Sequence, residues 1–105
     1  QFRCLKAATG ECVWESFKPV TGAEGRWANA FLVKHKDRFF IHNEKGDLII
    51  AQLSPKGYKE ISRANLIAPT NFARGRKLVW SHPAFANRSV YLRNDKEIRC
   101  YSLAE

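Results

Sequence analysis

A fifteen-residue pattern occurs twice in this chain, with the second copy fifty positions after the first. Residues 39–53 (FFIHNEKGDLIIAQL) and residues 89–103 (SVYLRNDKEIRCYSL) each contain two apolar runs separated by a polar turn, and residues 2–6 (FRCLK) form a third, partial copy. Each full copy is typical of a strand hairpin, which cannot bury both of its own faces. Self-similarity at this spacing therefore predicts a repeat array whose neighbouring units cover one another.

Apolar runs between turn residues divide the chain into three predicted units. Residues 1–17 hold two strands around the Thr9-Gly10 turn, residues 27–67 hold four, and residues 77–105 hold three. The strands of the last unit are predicted at 77–85, 88–93 and 97–103. Loops are predicted between the units, at 18–26 and 69–76, because these segments contain proline and glycine.

Antiparallel units of four strands are the blades of β-propellers. The predicted fold class is therefore all-β, a β-propeller fragment of a little over two four-stranded antiparallel blades. In this arrangement residues 1–17 are the last two strands of a truncated blade, residues 27–67 a complete blade, and residues 77–105 the first three strands of the C-terminal blade. Residues 58–67 also fit one face of a helix, but the repeat requires a fourth strand there, so we predict a strand.

Bare blade faces predict a need for partners. Burial of one large apolar side chain stabilises a protein by about 1.5 to 3 kcal/mol. If one blade face leaves about five to eight such side chains exposed, the stability lost is on the order of 10 to 20 kcal/mol. That equals or exceeds the roughly 5 to 15 kcal/mol by which an ordinary domain is stable. We therefore expect the ring to be completed by the remaining blades of a longer polypeptide or by self-association.

Residues 8–14 (ATGECVW) resemble the pyrroloquinoline-quinone-type repeat, in which a small residue, a Thr-Gly turn and a tryptophan four residues later recur in each blade. The resemblance implies that Thr9 and Gly10 form a tight hairpin turn and that Trp14 docks on the neighbouring blade. Residues 74–103 also resemble the closing segment of uncharacterised bacterial proteins with this propeller. Membership of that group implies an exported protein, periplasmic or secreted.

The chain departs from this repeat in its other two units. The second unit has SPKGY at 54–58 in place of the Thr-Gly turn and Ile61 near the tryptophan position, and the third ends before that position. This divergence favours a quinoprotein-like scaffold or binding module without catalytic activity and without a cofactor. The alternative hypothesis is part of a quinone-dependent dehydrogenase, or of another propeller enzyme, whose active site lies mostly in blades outside this chain.

Candidate binding residues lie where the predicted innermost strands begin. Trp27 and Asn29 open one such strand, and Trp80 and His82 open the next. The ends of these strands face the central channel of a propeller, so the four residues form a candidate channel-mouth surface for a protein or small-molecule ligand. The alternative is that they pack between blades.

The remaining polar residues do not form a recognisable catalytic or metal-binding motif. The three histidines and three cysteines lack metal-ligand spacing, so no metal site is predicted. Two acidic pairs occupy matching turns, where their oxygens cap the backbone: Glu44 with Asp47, and Asp95 with Glu97. Catalysis by paired carboxylates is therefore not predicted.

Eighteen Lys and Arg against ten Asp and Glu give a formal charge of +8. The basic clusters at 34–38 and 74–77 fall between apolar runs, which favours solvated loops over a phosphate-binding patch and argues against a nucleic-acid surface. The longest uncharged apolar stretch, residues 48–51, is too short to span a bilayer.

Cys4 and Cys12 are predicted on opposite arms of the first hairpin, so a disulfide between them is geometrically conceivable. Because free cysteine is among the most buried residue types, we predict instead that these residues and Cys100 are buried thiols.

Overall fold

The computed structural model describes residues 1–104 as an all-β protein of antiparallel sheets. Its strands are β1 (Phe2–Leu5), β2 (Cys12–Ser16), β3 (Ala30–His35), β4 (Arg38–Asn43), β5 (Asp47–Ser54), β6 (Gly57–Asn65), β7 (Asn71–Ala73), β8 (Arg76–Leu78), β9 (Ala84–Ala86), β10 (Ser89–Arg93) and β11 (Ile98–Ser102). Residues 1–104 include no helix of the length and apolar character needed to cross a membrane.

The central sheet is a four-stranded meander in the order β3-β4-β5-β6. Short turns join consecutive strands, which is why each strand pairs with the next one along the chain. In the β4–β5 pair, Ile41 lies opposite Ile49 and Phe40 lies opposite Ile50. Because successive side chains of a strand point to opposite faces, these two pairs place large apolar groups on both faces of the sheet.

Each face of the central sheet packs against a neighbouring element. On one face, Ile41, Ile49 and Ala51 are fully buried and contact Phe2 of β1. On the other face, Leu48 joins a cluster with residues of the last sheet and of the segments that lead to it: Ile67, Val79, Val90 and Leu92. The central sheet therefore lies between the β1–β2 hairpin and the β9–β11 sheet.

The chain before and after the central sheet forms smaller sheets. β1 and β2 make a two-stranded hairpin, β7 and β8 make another, and β9, β10 and β11 form a three-stranded sheet in the order β11-β10-β9. The described strands do not close into a barrel, since the sheets are separate and open at their edges. The predicted strand at 58–67 is confirmed by β6, which rules out the helical alternative.

The predicted continuous strand at 77–85 is wrong, and the adjoining segment 69–76 is not entirely a loop. Residues 71–78 instead form the β7–β8 hairpin, and β9 is a separate strand of three residues. Leu78 and Val79 are adjacent and both buried, which a strand with one covered face does not permit. Pro83 has no N–H group to donate to a strand partner, so pairing resumes only after it.

The cysteines are all free thiols, and most of them are not buried. Cys4 is half-buried opposite Trp14, while Cys12 lies opposite Leu5 and is exposed. Cys100 is exposed as well, so the prediction of buried thiols is wrong for Cys12 and Cys100. Cys4 pairs with Trp14 and Cys12 pairs with Leu5, so the two cysteines are not cross-strand partners and form no disulfide.

Candidate functional site at the turn face

One end of the molecule gathers the turns that follow β4 and β10, the β7–β8 hairpin and the segment that enters β3. We call this end the turn face and define it by residues 26–29, 43–47, 74–81 and 93–97. It contains three of the four predicted channel-mouth residues, since His82 follows just after it along the chain. Its structure is set by a small number of buried polar side chains.

Glu44 connects three parts of the turn face. Its backbone N–H donates to the Asn29 carbonyl at 3.1 Å, and its backbone carbonyl accepts from the Val79 N–H at 2.7 Å. Its carboxylate accepts from the Asn29 N–H at 3.0 Å. The Glu44 side chain is only 6% exposed, so these bonds fix the segment before β3 and the segment after β8 to the same turn.

Arg76 neutralises the Glu44 carboxylate. The guanidinium of Arg76 forms an ion pair with Glu44, and it also donates to the Trp27 carbonyl at 3.0 Å. The Arg76 side chain is 30% exposed, which makes the pair partly solvated at one side. This contact anchors the β7–β8 hairpin to the central sheet and holds the backbone of Trp27.

Two asparagines build the turns after β4 and β10 in the same way. The Asn43 carboxamide oxygen accepts from the backbone N–H groups of Lys45 and Asp47, each at 3.0 Å, and its NH₂ group donates to the Pro19 carbonyl at 3.0 Å. The repeated turn contains Asn94, which accepts from two backbone N–H groups and donates to the Ala68 carbonyl at 2.9 Å. Asn43 thus ties its turn to the loop before the central sheet, and Asn94 ties its turn to the segment between β6 and β7.

Asp47 is held by donors from three side chains. Its carboxylate accepts from Asn43 at 3.0 Å, from Asn65 at 2.9 Å and from Arg63 at 3.0 Å. Burial by itself would raise the pKa of the Asp47 carboxyl, but the hydrogen bonds from Asn65, Asn43 and Arg63 together lower that pKa below its usual range. Asp47 is therefore a structural anion that joins β5 to β6, and not a proton donor.

Trp27 presents a half-exposed indole that two arginines contact. Its exposed fraction is 50%, and the guanidinium carbons of Arg26 and Arg74 lie 5.6 Å and 4.8 Å from its ring centroid. Both distances fall within the range of a cation–π contact. The structure therefore places Trp27 on the surface with two cations, rather than inside the packing between sheets.

Trp80 lines a small cavity between the β7–β8 hairpin and the last sheet. The cavity has a volume of about 90 Å³, and Trp80 itself is 49% exposed. Most of its other lining residues are polar or charged: Asn71, Ser81, Arg93, Asn94 and Asp95, with Leu78 and Val79 at its wall. A cavity of this size holds a few water molecules or one small polar group.

The other two predicted site residues contact their neighbours. Asn29 bonds through its backbone to Glu44, as described above, and His82 packs its ring 3.8 Å from the ring of Phe31 on β3. Trp27 and Asn29 are thus brought together with Arg76, whereas His82 joins the entry of β9 to the first strand of the central sheet. Sequence reasoning missed Arg26 and Arg76 and treated Glu44 as a simple turn cap.

The motif residues Thr9, Gly10 and Trp14 lie on the first hairpin. Gly10 has a φ of 74°, a left-handed conformation that a tight turn requires and that glycine adopts without strain. The Trp14 indole N–H donates to the Ser54 carbonyl at 2.7 Å, at the turn between β5 and β6. Trp14 therefore links the first hairpin to the central sheet.

A buried histidine lies under the turn face. His42 is fully buried, one of its ring nitrogens lies 3.1 Å from the Asp47 carbonyl oxygen, and Nε2 has no hydrogen-bond partner among the described residues. Burial lowers the pKa of the His42 imidazole. The uncharged ring therefore persists to lower pH than usual.

Within residues 1–104, no three His, Cys, Asp or Glu side chains come together as a metal site would require. Comparison with protein-family models, with curated proteins and with solved structures gave no match to this chain.

Proposed function

We propose that this chain is a run of three successive units of a β-propeller, and that it serves as a non-catalytic scaffold and binding module. The observation that carries this proposal is the central meander, whose two apolar faces are covered by the preceding hairpin and by the following sheet. A blade in a ring is covered in the same way by its two neighbours.

The repeated asparagine turns support the equivalence of the units. Asn43 and Asn94 each accept from two backbone N–H groups of their own turn, and each donates to a backbone carbonyl earlier in the chain. Units that share this internal design are expected to stack by the same geometry. Each further unit would then extend the array in the same direction.

Bare surfaces at both ends support completion by further blades or by further copies of the chain. On the last sheet, Ile98 is 75% exposed and Tyr91 is 38% exposed. At the other end, an apolar cleft of about 510 Å³ beside β1 is lined in part by Phe2, Trp14 and Leu32. In the propeller proposal this cleft is the position of the inner two strands of the first blade.

The quinoprotein-like character and the export of the protein belong to the same proposal and rest on the resemblance at Thr9, Gly10 and Trp14. The bond from the Trp14 indole to Ser54 supports it, because the tryptophan contacts the next sheet as the repeat implies. We propose the turn face as the ligand-binding side, with Trp27 and Trp80 as its exposed aromatic residues. The ligand is a protein or a small molecule.

The test is the mass of the purified chain in solution, measured by light scattering over a range of concentrations. We expect a concentration-dependent mass above the 12.1 kDa of one chain, since the bare faces associate. Ile98→Asp should shift the mass towards that of one chain. Ile61→Asp, which changes an exposed isoleucine on the edge strand β6, is the matched control and should leave it unchanged.

A monomer at every concentration that also unfolds in one sharp thermal transition would contradict the need for completion. Equal effects of the two aspartate variants would show that association does not use the outer face of the last sheet.

A further inference from the structure

Two arginines of the turn face lack a carboxylate partner. Arg76 is paired with Glu44, but Arg26 and Arg74 form no ion pair or side-chain hydrogen bond with any residue in 1–104. Both arginines lie against the ring of Trp27, with guanidinium carbons 5.6 Å (Arg26) and 4.8 Å (Arg74) from the ring centroid. Their N–H donors remain available for a ligand.

Arg74 occupies a backbone conformation that disfavours it. Arg74 and Gly75 form the two-residue turn of the β7–β8 hairpin, with φ values of 51° and 78°. Turns with positive φ at both positions favour Asn-Gly or Asp-Gly, because asparagine and aspartate tolerate the left-handed region better than arginine does. Lys36 and Arg88 have similar positive φ values, but of these three residues only Arg74 is found over an exposed aromatic ring, which indicates a use for its side chain.

The backbone of Trp27, whose ring the two arginines contact, is fixed by hydrogen bonding. The Trp27 carbonyl accepts a hydrogen bond from Arg76, and Arg76 is held by the nearly buried Glu44 carboxylate. Trp27 is thereby attached to the central sheet even though its indole is half exposed. The backbone that carries the ring is thus held in place before any ligand arrives, which lowers the entropic cost of binding.

We propose that Arg26 and Arg74, held on Trp27, form a binding site for a phosphate ester or pyrophosphate group. A guanidinium presents a planar fork of donors that matches phosphate oxygens, and two unpaired guanidinium groups that contact one ring suit a group that carries more than one negative charge. This site goes beyond the scaffold function proposed above. It depends on local geometry at the turn face and not on the interpretation of the sheets as blades.

The phosphate group has two possible sources, a soluble molecule or a lipid headgroup. The experiment therefore titrates the full chain with inorganic pyrophosphate, followed by calorimetry and by amide chemical shifts. In a second arm it measures sedimentation with phosphatidylcholine vesicles that contain phosphatidic acid. Binding in either arm that depends on Arg74 supports the site, and the arm identifies the source.

The test variant is Arg74→Asn, which removes the guanidinium and places a residue suited to the turn. The matched control is Arg88→Asn, because Arg88 is also an exposed arginine in a hairpin turn, with a φ of 55°, and is not one of the residues found over an aromatic ring. Both variants lose one positive charge. We expect Arg74→Asn to weaken pyrophosphate binding about tenfold or more and Arg88→Asn to change it less than about twofold.

Equal losses of pyrophosphate affinity in the two variants would overturn the proposal, since they would show a general effect of net charge. Failure of the unmodified chain to bind in both arms would overturn it as well. The melting temperature of each variant checks that the fold is retained. These outcomes are separate from the mass measurement, so the phosphate site and the blade arrangement can fail independently.

Discussion

Replacement of Gly46 by alanine should be one of the most damaging single changes in this protein. Gly46 lies in the turn after β4 with a φ of 87°, and a Cβ atom there would lie 1.7 Å from the Ile67 carbonyl oxygen. The left-handed conformation costs about 1 to 2 kcal/mol for a residue with a side chain. Relief of the clash requires the backbone of Ile67 to move away from the turn.

That movement has further costs. The Leu66 N–H donates to the Gly46 carbonyl at 3.0 Å, and this bond is worth about 1 kcal/mol. Ile67 is fully buried in the core shared with the last sheet, and its partial withdrawal costs about 1.5 to 3 kcal/mol. We expect the free energy of unfolding to fall by about 3.5 to 6 kcal/mol in total.

The measurement is urea denaturation followed by circular dichroism. Gly75→Ala is the matched control, because Gly75 has a φ of 78° and no atom within 4 Å of the position that a Cβ would take. The free energy of unfolding of Gly75→Ala should fall only by the conformational cost of about 1 to 2 kcal/mol. If the two variants were equally stable, the close approach of Gly46 to Ile67 would not contribute, and the reasoning would be refuted.

Three further predictions concern single polar groups. Trp14→Phe should lower the free energy of unfolding by about 1 kcal/mol through loss of the bond to Ser54, whereas Trp80→Phe should change it less in the same thermal melts. Since the pKa of Asp47 is lowered on folding, the ionised carboxylate stabilises the folded protein above pH 3.8, and this contribution is lost as pH falls below that value. Asp47→Asn should therefore flatten the acidic part of a curve of unfolding free energy against pH. Since the pKa of His42 is also lowered, stability should decrease as pH falls below 6.5, by up to about 1.4 kcal/mol per pH unit, and urea titrations of His42→Gln should lack that decrease.

Strands were predictable where apolar runs were regularly separated by turn residues. The central sheet follows from the repeated apolar runs and from turn residues such as those after Asn43, and β6 follows from the repeat even though its own pattern is ambiguous. The segment from Leu78 to Pro83 was not predictable in this way. Its adjacent buried residues belong to a crossing between sheets, and that burial is decided by partners distant in the sequence.

The turn face was predicted in its location but not in its chemistry. Trp27 and Trp80 were selected because they open predicted strands, and both are about half exposed at this end. The ion pair of Glu44 with Arg76 spans 32 positions and has no local pattern that would reveal it. The Arg74-Gly75 turn did carry a signal, since glycine follows a residue in a short segment between strands, but arginine is not the residue expected there.

The two covered faces of the central sheet have a consequence for how the molecule opens. β4 and β5 are paired on both edges within a sheet whose two faces are covered, so exchange of their amide protons should report the largest opening free energy in the chain. The β1–β2 hairpin is attached mainly by Phe2 and by the Trp14 indole, and its amides should exchange through a smaller and separate opening. The order of exchange would thus divide the chain into cooperative units whose boundaries follow the packing between sheets.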